Sequence, residues 1–416
     1  MKIIFILFML FQVVFAGDAT IEVIKKADSL PTLAIEDSSI SYDNTFKLRF
    51  FKSLVADLNV ISLFNVDRHH RVVAYNDSSV LVSNKDMEYV LRYKIFEDDN
   101  GAMNIQMKLL QGDSEVFSKN YRVSKKDIYM FVSHAIAYDI NEYMGAKPVS
   151  WMKKKVIFAK VIAPKKSEII IADYTLTYQH IIIQGGFNLF PKWANQSQTA
   201  FYYTSLDNDK PTLKYVDIKT ASVKSIISSD GMMICSDVSN DGNHLLLTMA
   251  KDGQPDIYLY DVKKHTYKRE TTYSGIDVGG QFMNKDTIAF VSSRLGYPTI
   301  FTKNLLTNEI NQVVYYGNSN VACSASGHYI VYKARESSNA FSQNTFNLHL
   351  VSTQTDLIRR LTATGVNEFP KFSKDGDAII FVKNYKGQSS IGIIRLNFNK
   401  NYLFPIKSGR IQSMDW

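Results

Sequence analysis

The sequence predicts a small N-terminal α/β domain followed by an all-β six-bladed β-propeller. Three observations carry that prediction. A frame residue, aromatic or apolar, recurs at Trp151, Trp193, Val238, Phe282, Cys323, Phe372 and Trp416, at intervals of 41 to 49 residues. Each interval repeats the same order of apolar strand, polar hairpin, alternating strand and more polar fourth strand, as four-stranded blades require. Residues 17–150 carry none of this repeat and include two stretches of helical periodicity.

The chain starts with Met1-Lys2 and an apolar run from Ile3 to Phe15 broken only by Gln12, ending Val14-Phe15-Ala16. The run is shorter than the roughly 20 residues of a spanning helix, and it predicts a signal peptide over 1–16 cut before Gly17. The mature chain is then exported and soluble. Its first residues, Asp18-Ala19-Thr20-Ile21-Glu22-Val23-Ile24-Lys25, alternate as a short strand. Such a segment either docks on its own domain or adds as an edge strand to another protein.

Within the α/β domain (17–145), Pro31 to Asp37 reads as a strand. Asp43 to Leu58 places Phe46, Phe50, Leu54, Val55 and Leu58 on one helical face. Strands follow at 87–96, 102–110 and 115–123, separated by the turns Asp98-Asp99-Asn100-Gly101 and Gln111-Gly112-Asp113. Ser124 is the expected N-cap of a second helix that turns Ile128, Phe131, Val132, Ile136 and Ile140 inward and stops at Gly145. The linker Gly145-Ala146-Lys147-Pro148 is short enough that the two domains should touch. In the propeller (146–416) six full intervals give six blades. The fragment Ile411–Trp416 begins a seventh unit without a body, so it is expected to pair into the blade that starts near Trp151 and close the ring.

The composition, 45% hydrophobic and 21% charged with 24 Tyr and 25 Phe, excludes a disordered chain and favours β-structure. Net charge is −3 over residues 17–150 and +10 over 151–416. The basic body either attracts an acidic partner or is a solvated surface, and nucleic acid is excluded for an exported chain. Cys235 and Cys323 are too few for a disulfide framework; they read as buried thiols, with one bridge between them as the alternative.

No catalytic signature emerges. The nearest approach to a nucleophile elbow, Gly387-Gln388-Ser389-Ser390-Ile391-Gly392, misplaces the second glycine and falls in a blade hairpin. His69-His70 has no ligand cluster around it, and Asp241-Gly242 and Asp375-Gly376 are turn residues. The expectation is a protein without catalysis, cofactor or metal. What remains is loop surface. Five residues ahead of the frame stand Asn188, Asp277, Asn318 and Asn367, with Met233 and Ile411 in the other two blades. Four small polar residues there either form turns or line a channel mouth that grips a protein partner.

A signal peptide, an α/β domain and blades of the form P-x-W/F-S-x-D-G together resemble the TolB family of the Tol-Pal envelope system. The resemblance spans the whole chain and is most specific at Phe190-Pro191-Lys192-Trp193 and Phe369-Pro370-Lys371-Phe372-Ser373-Lys374-Asp375-Gly376. It departs at Trp151, which lacks the Pro and turn Gly, and at Cys323-Ser324-Ala325-Ser326-Gly327. The resemblance implies a monomeric, non-enzymatic periplasmic adaptor that serves outer-membrane integrity and constriction at cell division. Its propeller would bind Pal, a lipoprotein of the outer membrane, and residues 18–25 would be read by TolA. The rival reading is a periplasmic propeller enzyme or glycan-binding protein using the same mouth.

Overall fold

The computed structural model describes residues 30–77, 79–207, 209–317, 319–336, 345–355 and 357–416. The expected partner segment at 18–25 lies outside the described residues. In the N-terminal domain, β1 (Thr32–Asp37) pairs in parallel with the two-residue strands β2 (Asn65–Val66) and β3 (Arg71–Val72) and with β4 (Tyr89–Glu97). The sheet continues as an antiparallel meander through β5 (Met103–Gln111) and β6 (Ser114–Val123).

Two helices cover one face. The first, α1 (Asn44–Ile61), starts where the Asp43 carboxylate accepts the Phe46 N–H at 2.9 Å, and it buries Phe50, Phe51, Leu54, Leu58 and Ile61. The second, α2 (Tyr129–Tyr143), begins later than the sequence suggests. A tighter 3₁₀ turn, Lys126–Ile128, intervenes, so Ser124 is not its cap. Gly145, at φ +65°, ends α2 as expected.

The propeller consists of six four-stranded antiparallel meanders, the last two joined into one eight-stranded sheet by the parallel bridge between Phe346 and Val366. Their innermost strands are Arg410–Asp415 for blade 1, then Asn188–Trp193, Met233–Val238, Asp277–Phe282, Asn320–Ser326 and Val366–Phe372 for blades 2 to 6. Each packs beside the next and the sixth beside the first, so the ring is closed. The C-terminal strand pairs with Val156–Ala163 of blade 1, Ile411 opposite Lys160 and Met414 opposite Phe158. Closure by the chain's last strand therefore follows the sequence reading. Trp151, taken as the first frame residue, is not on an inner strand. It sits in a 3₁₀ turn (Ser150–Lys153), with its ring edge-on to Tyr174 and Trp416 at 5.4 Å each.

Every inner strand carries a β-bulge near its middle, and four share a residue in the left-handed region there: Phe190, Gly279, Ala322 and Phe369. A bulge adds one residue against a straight partner and re-aims the side chains beyond it.

The N-terminal domain covers the end of the propeller where first strands turn into second and third into fourth. Lys147 Nζ reaches Asn397 Oδ1 at 3.1 Å, and Ser150 Oγ reaches Asp375 Oδ2 at 3.4 Å. One apolar core runs from Phe50 and Leu54 of α1 through Ile136 and Trp151 to Phe158, Ile380 and Ile393 of blades 1 and 6. The domains thus touch, as the short linker implied. Blade 6 also completes α1: Arg395 Nη1 donates to the Val60 and Ile61 carbonyls at 3.1 and 3.3 Å, and Tyr402 Oη donates to the Asn59 carbonyl at 2.7 Å. Those are last-turn acceptors with no partner inside the helix.

Candidate functional site

The N-terminal domain packs on one end of the propeller over blades 1 and 6; the opposite end is the one where fourth strands pass to the next blade and second strands turn into third. This is the mouth that sequence reasoning singled out, but its polar residues serve another purpose. Asn188, Asp277 and Asn367 are buried. Asn188 Nδ2 donates to the Gly185 carbonyl at 2.7 Å; Asn367 Nδ2 donates to the carbonyls of Phe346 and Thr364 at 2.9 and 3.2 Å. Asp277 is paired with Arg294 at 3.2 Å. Asn188 and Asn367 tie down their incoming loops and Asp277 the hairpin that carries Arg294, so the three side chains meet loop groups rather than solvent. Asn318 lies outside the described residues. In blade 5 the repeat position belongs to Asn320, buried and donating to the Tyr316 carbonyl at 2.9 Å. The frame there slips by two, to Ala325, because a two-residue turn replaces the longer turn of other blades. A glycine two or three residues earlier (Gly185, Gly275, Gly317, Gly365) accompanies each locking residue and could have marked this loop in the sequence.

The surface that the locks support is divided. Met232, Ile276, Leu295, Tyr315 and Tyr316 are exposed on mouth loops of blades 2 to 4, Tyr316 at 76%. On blades 6 and 1, across the ring, Lys165, Lys166, Lys386 and Lys407 are exposed on loops that hold no carboxylate. Sequence reasoning missed both groups, since neither occupies one repeated position.

The channel wall holds a ring that the repeat did encode. The residue just before each frame position is Asp415, Lys192, Asp237, Gln281, Ser324 and Lys371 in blades 1 to 6. Donors and acceptors alternate. Asp415, Asp237 and Ser324 of the odd blades accept the backbone N–H of Trp193, Phe282 and Phe372 from the following blades, at 2.9, 2.9 and 3.2 Å. The even blades supply Lys192, Gln281 and Lys371. Lys192 Nζ lies 2.8 Å from Asp415 and 3.6 Å from Asp237; Lys371 lies 3.7 Å from Asp237 and donates to Gln281 Oε1. Burial would depress Lys192, but Asp415 and Asp237 outweigh it and hold its pKa above the ordinary lysine value. Lys371, buried and next to the Lys192 charge, is pushed down to about 8. The ring borders a cavity of about 870 Å³ that opens toward the N-terminal-domain end, between the turns of blades 2 to 6.

The ring carboxylates are already committed to lysines and to backbone N–H groups. Burial pushes the Cys235 and Cys323 thiols up to about 12, and both are free, which removes the bridge held open as an alternative. His69 and His70 are bound separately, to Asp67 and to Asp37. Among the described residues no group of three His, Cys, Asp or Glu could hold a metal ion, and no helix is long and apolar enough to cross a membrane. What the mouth offers is a rigid contact surface with tyrosine anchors and a basic flank.

Comparison with known proteins places this geometry. Residues 148–416 match the family model described as TolB beta propeller domain. Over its whole length the chain is 45% identical to the Tol-Pal system protein TolB of Wolinella succinogenes and 41% identical to that of Campylobacter jejuni RM1221, in each case covering all of the relative. The TolB of Helicobacter hepaticus is 37% identical over 99% of both chains. The crystal structure of TolB from Acinetobacter baumannii superposes with a TM-score of 0.75 at 18% identity, covering 93% of this chain and 97% of that one. At that identity the superposition speaks for the fold.

Proposed function

Because the chain belongs to the TolB family and is a component of the Tol-Pal system, we propose that it is a non-enzymatic periplasmic adaptor with two binding elements, a propeller mouth for Pal and an N-terminal segment for TolA. Linking those partners would support outer-membrane integrity and constriction during cell division. The protein would work as a monomer, without cofactor or nucleic acid, and reach the outer membrane only through Pal.

The mouth assignment rests on one observation: the propeller end facing away from the N-terminal domain exposes Tyr315 and Tyr316 on one side and, on the other, four lysines with Tyr385 beside Lys386. Aromatic anchors supply contact energy, and rim charges steer an acidic partner and speed association. The contact therefore falls on the loops that the buried Asn and Asp residues shape, not on those residues themselves. Tyr316→Ala and Lys386→Glu are each expected to weaken binding of purified Pal by about tenfold with unchanged thermal stability, the second mainly through the association rate. Calorimetry and surface plasmon resonance read both effects. Wild-type affinity in both variants would refute the mouth assignment.

The second element is the segment Asp18 to Lys25, whose alternating pattern suits addition to a sheet edge in a partner. A mature chain lacking residues 18–25 is expected to lose binding to the periplasmic domain of TolA while keeping its affinity for Pal. Retention of TolA binding by that deletion would overturn this part of the reading.

A further inference from the structure

Beneath the N-terminal domain, Asp57 of α1 and Ser133 and His134 of α2 are buried against the turn 173–178, which joins the third and fourth strands of blade 1. His134 is 1% exposed. Its Nδ1 lies 2.9 Å from Asp57 Oδ2 and its Nε2 lies 3.3 Å from Asp173 Oδ2. A neutral imidazole has one N–H and one lone pair, so it satisfies one carboxylate and turns its lone pair to the other. Only the imidazolium donates to both.

The cluster is shared between the domains. Asp57 and His134 come from one, Asp173 and Tyr174 from the other. The Tyr174 hydroxyl crosses back to donate to Asp57, as Ser133 does from within its own domain. Asp173 also accepts the Thr175 and Tyr178 N–H groups at 2.9 and 2.6 Å. The titratable groups facing the imidazole are Asp57 from α1 and Asp173 and Tyr174 from blade 1, with Tyr178 of blade 1 behind Phe131 and Tyr129 of α2 and Arg395 of blade 6 also one layer out.

We propose that this cluster is a protonation-gated latch: imidazolium His134 pins the N-terminal domain to blade 1, and its loss frees that side while the blade 6 contacts to the end of α1 act as the hinge. Alongside the apolar core the domains share, the buried polar contacts on blade 1 and on blade 6 differ in chemistry. The hinge is made by the Arg395 guanidinium and the Tyr402 hydroxyl; burial raises the Tyr402 pKa and lowers that of Arg395, a guanidinium that stays charged where the latch titrates. Burial by itself would lower the His134 pKa, but Asp57 and Asp173 outweigh it and hold it up at about 9. Since that value lies above the ordinary histidine value, the latch holds in full below about pH 6.5 and is lost as pH rises through about 9. A ligand that displaced Asp173 would release it at neutral pH by the same route.

The test uses the full mature chain. Nitrogen-15 spectra of the His134 ring are expected to show both N–H groups at pH 7 and a titration midpoint near 9. In hydrogen exchange, protection of residues 129–143 and 173–178 should fall together across that midpoint, while residues 395–402 stay protected. Asp173→Asn removes one of the two stabilising charges, so release should come at least one pH unit lower. A purely packing role for His134 would not move the midpoint. A neutral ring at pH 7 would overturn the proposal. So would protection of 129–143 and 173–178 that is unchanged up to pH 9.5, or an unshifted midpoint in Asp173→Asn.

Discussion

Arg395→Met is expected to destabilise the chain by about 3 kcal/mol, because it leaves buried acceptors without donors at roughly 1–3 kcal/mol each. Arg395 is 1% exposed, lies 5.0 Å from the Phe398 ring, and spends two bonds on the Val60 and Ile61 carbonyls. Those carbonyls end a helix of the other domain, whose C-cap Ser62 Oγ reaches the Val60 carbonyl at 3.2 Å, so Ile61 depends most on Arg395. Methionine preserves much of the packing volume and removes the donors together with the charge that faces Asp377 at 3.5 Å, so the loss reads these polar bonds rather than a cavity. Urea unfolding of the wild type and variant measures it. A shift in stability under about 1 kcal/mol would mean that the helix end finds other donors when Arg395 is absent.

Asp415→Asn should have an effect of similar size, about 3–5 kcal/mol, for a different reason: it leaves the buried Lys192 ammonium without its nearest counter-charge. The amide oxygen can still accept the Trp193 N–H that Asp415 accepts at 2.9 Å, so the substitution isolates the charge. Asp237, 3.6 Å from Lys192, compensates only in part because Lys371 draws on it too. The pair of changes Asp415→Asn and Lys192→Met should return stability to within about 2 kcal/mol of wild type, since removing a whole buried ion pair often costs little. Thermal and chemical unfolding of the four proteins in the cycle gives the coupling energy. Additive effects of the two single changes would show that the channel ring is not an electrostatic unit.

The fold was largely legible because a propeller writes its period into the chain. A frame residue and a turn recurring about every 44 residues allowed the inner strands of blades 2, 3, 4 and 6 and the closing strand 411–416 to be read directly. Errors arose where the repeat breaks. A shortened turn at Gly327-His328 moved the blade 5 frame by two residues, so Asn318 was read in place of Asn320. Trp151 resembled a frame residue because Val156–Ala163 follows it as a blade strand should, yet its ring belongs to the core between the domains.

The site was read one step too literally. The polar residues ahead of the frame do recur, but the sequence does not distinguish a side chain that meets a partner from one that holds its own loop. Small amides suit both tasks, and only burial with a carbonyl at 2.7–3.2 Å separates them. The channel ring was legible in principle, one residue before the frame, since a periodic chain places equivalent positions around one axis. Its alternation of donors and acceptors emerges only when blade 6 meets blade 1.

By itself, then, the sequence determined the two-part architecture, the blade period, the order of strands and the closure by its last residues, all of which follow from short-range patterning of apolar and turn residues. Tertiary structure alone decided which mouth residues are exposed, that Arg395 completes a helix more than 330 positions earlier, and that Asp57, His134 and Asp173 converge on one proton. Such contacts join positions far apart in the chain. Their energy depends on burial and on the direction of single lone pairs, neither of which leaves a periodic trace in the sequence.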